Sequence, residues 1–492
     1  MASLNEIKKT RLEKIENLKK AGMNPYQINK KRDYTLKEVN ENFTNLSGVF
    51  SVVGRVMAVR GQGAILFVVL HDGTGEFQMV FKKDVLGDEK ISLFADNIDM
   101  GDFVEITGEA FVTERGANSI LVKDWDILTK SLAPLPEKWA GLQDVEEKYR
   151  KRYLDILSDR ETSQRFQKRS EIVKYIRNFF DSRSFMEIET PILQSQAGGA
   201  MAKTFNTHHN DYDMDMVLRI SLEIEHKMLM VAGFNKIYEI GKNFRNEGSD
   251  ATHIQEFTMM EWYASYMTLE ENMNLTEDLL RGLAKDVMQK SVFTVYDKDG
   301  NPIEVDFDKK WERVNFADLL KENANLDMFS ATISDIQEKA KEFGMDEKEI
   351  SKTGKANLLD FIYKKSSRNN IIHPTFVMNY PSDLKPLAEQ NGDGTANMCQ
   401  LIIAGAEITN QYQELVDPIH QRNLLEGQSK AKDAGDEEAM SINEEFLTAM
   451  EHGMPPMTGF GMGIDRLVAI LTEQKNLRDT IFFPIMRPRG EE

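Results

Sequence analysis

This 492-residue sequence holds a single cysteine, Cys399. One thiol excludes an intramolecular disulfide framework and a cysteine-based zinc site, and it fits a reducing, cytoplasmic location. No apolar run approaches the roughly 20 residues that cross a bilayer, so no membrane partner is expected. The N-terminus, Met1-Ala2-Ser3-Leu4-Asn5-Glu6, lacks the apolar core of a signal peptide. No internal repeat of about 20–50 residues recurs. What is present is a globular composition, 41% hydrophobic and 29% charged, long enough for more than one domain.

A net charge of −19 weighs against a nucleic-acid partner, but the charge is unevenly placed. Residues 1–32 carry nine Lys/Arg against three Glu, a net +6, which leaves −25 on residues 33–492. Beyond a Debye length of about 8–10 Å only local charge matters, so a basic arm on an acidic body attracts phosphate. A solvated helix face is the alternative. The arm reads as a helix. Ser3 and Glu6 form a capping box, Leu4, Ile7, Leu12, Ile15 and Leu18 share one stripe, and Gly22 and Pro25 end it. The stripe implies docking, with the lysines facing outward.

The stretches 50–60, 64–70, 77–82, 103–108 and 119–128 then read as short strands, the second and third joined by Asp72-Gly73-Thr74-Gly75. Five strands after a basic helix suggest an oligonucleotide-binding barrel. Phe67 and Gln78 offer a stacking ring and an amide to unpaired bases, although a strand Phe is more often core. Leu132-Ala133-Pro134-Leu135-Pro136 marks a boundary. The expected division is a basic arm over 1–35, a barrel over 36–135, a linker over 136–164 and a second domain over 165–492.

That second domain opens on a helix over 165–183 and a proline-stopped strand, Phe185–Pro191. Strands at 216–220, 237–247, 256–264 and 399–409 predict an antiparallel sheet, with a helical stretch at 221–233. A hairpin at Asp297–Asn301 opens an insertion over about 290–372, with helical patterns at 314–323, 332–343 and 355–368. The fold class is therefore α+β and multidomain.

Two windows carry chemistry. In Phe244-Arg245-Asn246-Glu247 and Phe257–Tyr263, strand alternation puts Arg245 with Glu247, and Phe257 with Glu261 and Tyr263. Together they offer a guanidinium for phosphate or carboxylate, a ring for a base and acids for amino groups. A salt-bridged hairpin is an equal reading of that window alone. Gly459-Phe460-Gly461-Met462-Gly463-Ile464-Asp465-Arg466 runs into a helix, where alternate glycines allow close backbone approach and a helix N-terminus with an arginine suits an anion. No βαβ unit or following acid supports a Rossmann reading.

Together these pieces resemble the class II lysyl-tRNA synthetases of bacterial type, over essentially the whole chain. The helix ending in Phe185–Pro191 resembles the dimer-forming first motif. Phe244-Arg245-x-Glu247 with His253-x-x-x-Phe257 resembles the second, and Gly459–Arg466 the third. The strings Ala197–Ala200, Glu261-Trp262-Tyr263, Lys432–Met440 and Gly453–Pro456 are similar to the lysine member in particular. The resemblance implies an anticodon-binding barrel, an antiparallel catalytic sheet, a homodimer, ATP and L-lysine as substrates, tRNA(Lys) as partner and Mg²⁺ as cofactor. It implies that Arg245 holds the α-phosphate and the lysine carboxylate. By the same resemblance Phe257 and Arg466 sandwich the adenine, Glu247 reads its amino group, His253 contacts phosphate, and Gly463 belongs to the nucleotide site. Gly199, Glu223 and Glu261 take the α-amino group. Glu414 and the Tyr263 hydroxyl take the ε-ammonium, with Tyr412 along the aliphatic stem and Asn410 on the same strand face. Glu407 and Gln400 fall at the metal positions.

The chain departs from the family pattern at several of these places. Gln400 replaces a glutamate, and Thr252 and Ile254 alter the second-motif loop, removing an arginine for the ATP phosphates. Gln411, Tyr412 and Gln413 alter the lysine-site strand. Lys203 stands for an arginine, and Ala117 falls where an anticodon-reading glutamate is usual. Three functions are thus compatible: a working lysine-tRNA ligase, an adenylate-forming paralogue with another acceptor or a lysine-like amino acid, and a non-catalytic RNA-binding paralogue. The barrel weighs against a protein acceptor, and retention of Arg245, Glu247, Phe257, Glu407, Glu414 and Arg466 favours an enzyme.

Overall fold

The computed structural model describes residues 3–28, 30, 32–62, 64–136, 141–200, 202–297, 300–433 and 442–489. Lys31, the Lys298-Asp299 turn and most of the 432–440 string lie outside them. The chain divides into two compact units, Met1–Lys148 with Tyr153–Ser158, and Tyr149–Arg152 with Asp159–Glu492.

In the first unit, helix α1 (Leu4–Lys20) starts on the expected capping box, Glu6 N–H donating to Ser3 Oγ and Ser3 N–H to Glu6 Oε2. Its buried face is Arg11, Ile15 and Leu18, whereas Leu4 and Leu12 of the expected stripe are exposed. Arg11 takes the inward position because its guanidinium donates to the Ser131 hydroxyl and to the Ser131, Ala133 and Met100 carbonyls, a cluster no leucine could satisfy. Other arm cations are also engaged: Lys14 with Asp99 at 2.7 Å, Lys30 with Glu105 at 2.6 Å and Arg32 with Asp72 at 2.7 Å. Lys8, Lys9, Lys19 and Lys20 face solvent.

Strands β1 (Phe50–Gln62), β2 (Ile65–His71), β3 (Glu76–Lys82), β4 (Phe103–Val112) and β5 (Asn118–Thr129) close into the expected barrel in the order β1-β2-β3-β5-β4. Alternation sets its two faces. Leu66, Val68 and Leu70 are buried, and Phe67 between them faces outward. Phe67 pairs with Val80 and Val69 with Gln78, so Phe67 and Gln78 are diagonal neighbours on one outer face. A helix not foreseen from the sequence, α2 (Asp88–Asn97), packs Ile91 and Phe94 into the barrel core.

In the second unit, α3 (Arg160–Asp181) buries Phe166, Ile172, Ile176, Phe179 and Phe180. The sheet has eight strands: β6 (Met186–Glu187), β7 (Lys236–Phe244), β8 (Glu256–Ser265), β9 (Glu312–Asn315), β10 (Thr375–Met378), β11 (Met398–Ile403), β12 (Ala406–Gln413) and β13 (Met457–Gly463). Their order is β9-β10-β11-β12-β13-β8-β7-β6. The interior pairings are antiparallel as expected, but both edge pairings, β9 with β10 and β6 with β7, are parallel.

Three strand expectations are corrected. The run 399–409 is not one strand but the hairpin β11–β12, turning at Ala404 and Gly405, both with positive φ. Met214–Leu218 joins Leu193–Gln194 and Asn206–His209 in a separate small sheet. The strand over 237–247 stops at Phe244, so Arg245 and Glu247 lie beyond the ladder. The insertion supplies its three expected helices, Phe316–Ala324, Ile333–Glu342 and Lys355–Ser366, but also contributes β9 to the sheet edge. Among the described residues no helix is long and apolar enough to cross a membrane.

Candidate active site

Two adjoining cavities of about 170 Å³ each open on the sheet. Both are lined by Arg245, Met259, Asn410 and Gly461. The first adds Glu247, Thr252, His253, Phe257, Glu407, Gly463, Asp465 and Arg466. The second adds Gly199, Ser221, Glu223, Glu261, Tyr263 and Tyr412. Each cavity is lined by charges of both signs: Arg466 and the Phe257 ring face Glu247, Glu407 and Asp465 in the first, called the cationic cavity below, and Lys385 faces the buried Glu223 and Glu261 in the second, called the acidic cavity.

Strand register explains this gathering. Phe257, Met259, Glu261 and Tyr263 alternate onto one face of β8 and run from one cavity into the other. Arg245 follows β7 directly and sits at the junction. Its Nε and Nη2 donate to Ile220 O at 3.3 Å, and its guanidinium lies 5.2 Å from the Phe257 ring centroid. Burial lowers the Arg245 pKa, against the pull of Glu247, Glu261 and Glu407. Arg466 belongs to the first turn of α6, where α4 is Glu223–Val231, α5 is Leu269–Gly282 and α6 is Ile464–Leu471. Its Nη1 donates to the Glu407 carbonyl, and burial lowers its pKa too. Asp465 fixes that turn by pairing with Arg169 at 2.6 Å and accepting from Thr258 N–H at 2.7 Å.

The loop between β7 and β8 is held by Asp250. It accepts from Thr252 N–H at 2.6 Å and contacts His253 Nδ1 at 3.1 Å. Burial acts to raise the Asp250 carboxyl, and the Thr252 and His253 donors override it, holding the group at about 2. Thr252 thereby caps Asp250 through its N–H and hydroxyl.

In the acidic cavity Glu261 accepts from the Ser221 hydroxyl at 3.1 Å and from Leu222 N–H at 3.2 Å, and the Tyr263 hydroxyl donates to it at 3.4 Å. Burial, with Glu223 adding, pushes the Glu261 carboxyl up to about 8. Gly199 has φ +76°, and a Cβ there would come within 2.8 Å of Glu223 Cβ. Only glycine combines that left-handed backbone with such close approach.

Two expected site residues stand behind the walls. Glu414 does not line the acidic cavity. It is buried beside Tyr263, and its Oε2 lies 2.6 Å from the ammonium of Lys227. Gln400 does not line the cationic cavity either. Its Nε2 donates to Asn410 Oδ1 at 2.8 Å, and Asn410 Nδ2 donates to Glu407 Oε1. Gln400 therefore reaches Glu407 only through Asn410. Phe67 and Gln78 belong to the other unit, where Gln78 Nε2 donates to Ser119 Oγ at 2.9 Å.

Among the described residues no cluster of three His, Cys, Asp or Glu forms a metal cage. Of the three carboxylates lining the first cavity Asp465 is taken by Arg169, and Glu407 with Glu247 fits Mg²⁺, which is commonly held by one or two carboxylates plus substrate phosphates. Sequence reasoning missed Lys227, Asp250 and Arg169. Lys227 was legible as the fourth residue after Glu223 on a helix, the spacing at which opposite charges meet.

The residues 144–487 match the profile of class II tRNA synthetases (D, K and N), and residues 50–128 that of the OB-fold nucleic acid binding domain. The chain is 41% identical over 492 residues to the lysine–tRNA ligase of Carboxydothermus hydrogenoformans, covering 99% of both chains. It is 40% identical to that of Lactococcus lactis, with 98% of this chain and 99% of the other covered. It is likewise 40% identical to that of Nostoc punctiforme, with 99% and 89% covered. The barrel, the sheet with its paired cavities and these full-length matches together place the chain in the class II aminoacyl-tRNA synthetases, within the lysine–tRNA ligase family.

Proposed function

We propose that the two cavities divide the family's ATP-dependent ligation of lysine to tRNA between them, the cationic one taking ATP and the acidic one L-lysine. The observation that carries this is the position of Arg245, which lines both cavities. A lysine carboxylate oxygen attacks the α-phosphorus of ATP, the bond to pyrophosphate breaks, and lysyl-adenylate forms. A ribose hydroxyl at the tRNA 3′ end then attacks the carbonyl carbon, loses its proton and releases AMP. Arg245 bridges the α-phosphate and the carboxylate and meets the charge that grows between them. Phe257 and Arg466 enclose the adenine, and Glu247 takes its amino group. His253 contacts phosphate near Gly463. Gly199, Glu223 and Glu261 receive the α-amino group. Tyr412 and Asn410 flank the chain of the amino acid, and Glu414 with Tyr263 selects its ε-ammonium. Glu407 would hold Mg²⁺ together with ATP oxygens, the ion supplying charge neutralisation at the phosphates.

The same reading extends to the rest of the chain. The arm (1–35) and barrel (36–135) take tRNA(Lys), Phe67 and Gln78 meet the anticodon, the linker spans 136–164, and residues 165–492 form the catalytic domain. The protein acts as a cytoplasmic homodimer. Pyrophosphate exchange with each of the twenty amino acids tests the assignment. Exchange with lysine alone is expected. Exchange with another amino acid, or with none, overturns it.

The Mg²⁺ requirement follows from Gln400. Its amide engages Asn410, the partner of Glu407, so a carboxylate at this position would add negative charge one residue removed from the metal. Gln400→Glu is expected to lower the Mg²⁺ concentration for half-maximal exchange while leaving lysine KM within about twofold. An unmoved Mg²⁺ titration would remove Gln400 from the metal's surroundings.

The arm makes a second expectation. Lys8, Lys9 and Lys20 are solvent-facing, whereas Arg11, Lys14, Lys30 and Arg32 are tied into the barrel unit. Neutralising those three lysines should reduce the salt dependence of tRNA binding by a slope of about two to three and leave pyrophosphate exchange intact. An unaltered slope assigns the arm to packing alone.

A further inference from the structure

Helix α4 carries Glu223 and Lys227 one turn apart, so both leave the same face of the helix. Lys227 has no solvent exposure. Its ammonium lies 2.7 Å from Glu223 Oε1 and 2.6 Å from Glu414 Oε2. A lone ammonium taken out of water is costly, and two carboxylates offset that cost here. Glu414 keeps its other oxygen free. Oε1 is buried and has neither an ion-pair nor a hydrogen-bond partner among the described residues. It rests against Gly459, where a Cβ would overlap it and would also come within 2.6 Å of the Tyr263 ring. The free oxygen thus lies beside a residue that lines the acidic cavity.

We infer that Lys227 is a positioning residue for amino-acid selection: it anchors one oxygen of Glu414 and leaves the other for the side-chain ammonium of the substrate. The inference rests on Glu414 as the acceptor of that ammonium. Glu223 shares the Lys227 ammonium and so fixes the cation from the opposite side. An amino acid ending in a neutral group would leave Glu414 Oε1 buried and unpaired, which penalises it more than a missing contact would.

Lys227 also pulls Glu414 toward its charged form. Burial raises the Glu414 carboxyl above the ordinary carboxylate range, and Lys227 is the main opposing pull. The other titratable groups acting on or facing Glu414 are Glu223 on α4, Tyr263 on β8 and Tyr412 on β12, the strand that Glu414 follows. The cations Lys385 and Arg245 line the same cavity, but among the described residues Lys227 is the one in ion-pair contact with Glu414, so its removal leaves that carboxylate without an ion pair. Removing it moves the carboxyl further upward, and lysine capture is then lost over a higher pH range as pH falls.

The test is pyrophosphate exchange by Lys227→Met, Lys227→Arg, Glu414→Gln and the double variant Lys227→Met/Glu414→Gln. Lys227→Met is expected to raise lysine KM by about 30-fold or more, with ATP KM within about twofold. The acid limb of kcat/KM for lysine should move up by about one pH unit or more, and Lys227→Arg should restore it. In the Glu414→Gln background, Lys227→Met should cost less than about threefold further, because its target is already gone. That double variant has no unpaired charge at position 414, so it carries the comparison if Lys227→Met alone does not fold. The inference is overturned if Lys227→Met leaves lysine KM and the acid limb unmoved, or if its full effect persists in the Glu414→Gln background. If Glu414→Gln itself leaves lysine KM unchanged, the reading of Glu414 falls, and this inference with it.

Discussion

Arg245→Ala is expected to lower lysine-dependent kcat/KM for pyrophosphate exchange by roughly 1,000-fold or more, the upper end of what one preorganised charge donor supplies. Arg245 is the cation that lines both cavities, so on the proposed reading its loss would weaken the nucleotide and the amino acid at once. It would also remove the charge proposed to sit where the two substrates react. Its own contacts are modest, two donations to Ile220 O and an approach to the Phe257 ring, so the fold does not depend on it. Lys in its place keeps the charge but loses the planar fork that can engage two anions together. Arg245→Lys should therefore remain at least about 100-fold impaired. The check is exchange kinetics beside a thermal melt. A folded Arg245→Ala protein that retains more than a tenth of wild-type kcat/KM would be incompatible with a bridging role.

Much of this molecule is legible in its residues, and the parts that are not have definite causes. The barrel strands and the β7–β8 hairpin show because period-2 alternation survives wherever one face is buried. The run 399–409 misled because β11 is buried on both faces and reads as one continuous apolar stretch with the turn at Ala404-Gly405. The stripe on α1 misled because Arg11 displaced a leucine from the buried face. Its partners, Ser131 and Ala133, lie about 120 residues away, where local pattern cannot reach. The candidate site divides the same way. Arg245, Phe257, Glu261 and Arg466 fall in compact strings whose alternation brings them together. The environments of Glu414 and Gln400 depend on Lys227 and Asn410 from other elements, and only the folded chain shows that both stand behind the cavity walls.

Glu407 is the remaining residue with a large expected effect. It is part-exposed at the cationic cavity, it accepts from Asn410, and its carbonyl, not its carboxylate, meets Arg466. On the proposed reading, the carboxylate oxygen not taken by Asn410 would meet a cation beside the ATP phosphates. Mg²⁺ is small, strongly hydrated and dependent on anionic oxygens, and Gln400 supplies no second charge. Glu407→Gln keeps the size of the side chain and an amide oxygen for Asn410, so the melt should stay within about 2 °C, as for a surface-like substitution. Exchange should nevertheless fall by roughly 100-fold or more, since Glu247 alone would remain to hold the ion against the phosphates once Asp465 is paired with Arg169. Raising Mg²⁺ should recover part of that loss, because the defect lies in holding the ion rather than in binding lysine. Lysine KM should move by less than about threefold, as Glu407 lines the cationic cavity and not the acidic one. A Glu407→Gln enzyme with wild-type exchange at limiting Mg²⁺ would place the metal elsewhere. A rise in lysine KM as large as that of Glu414→Gln would instead assign Glu407 to the amino-acid pocket.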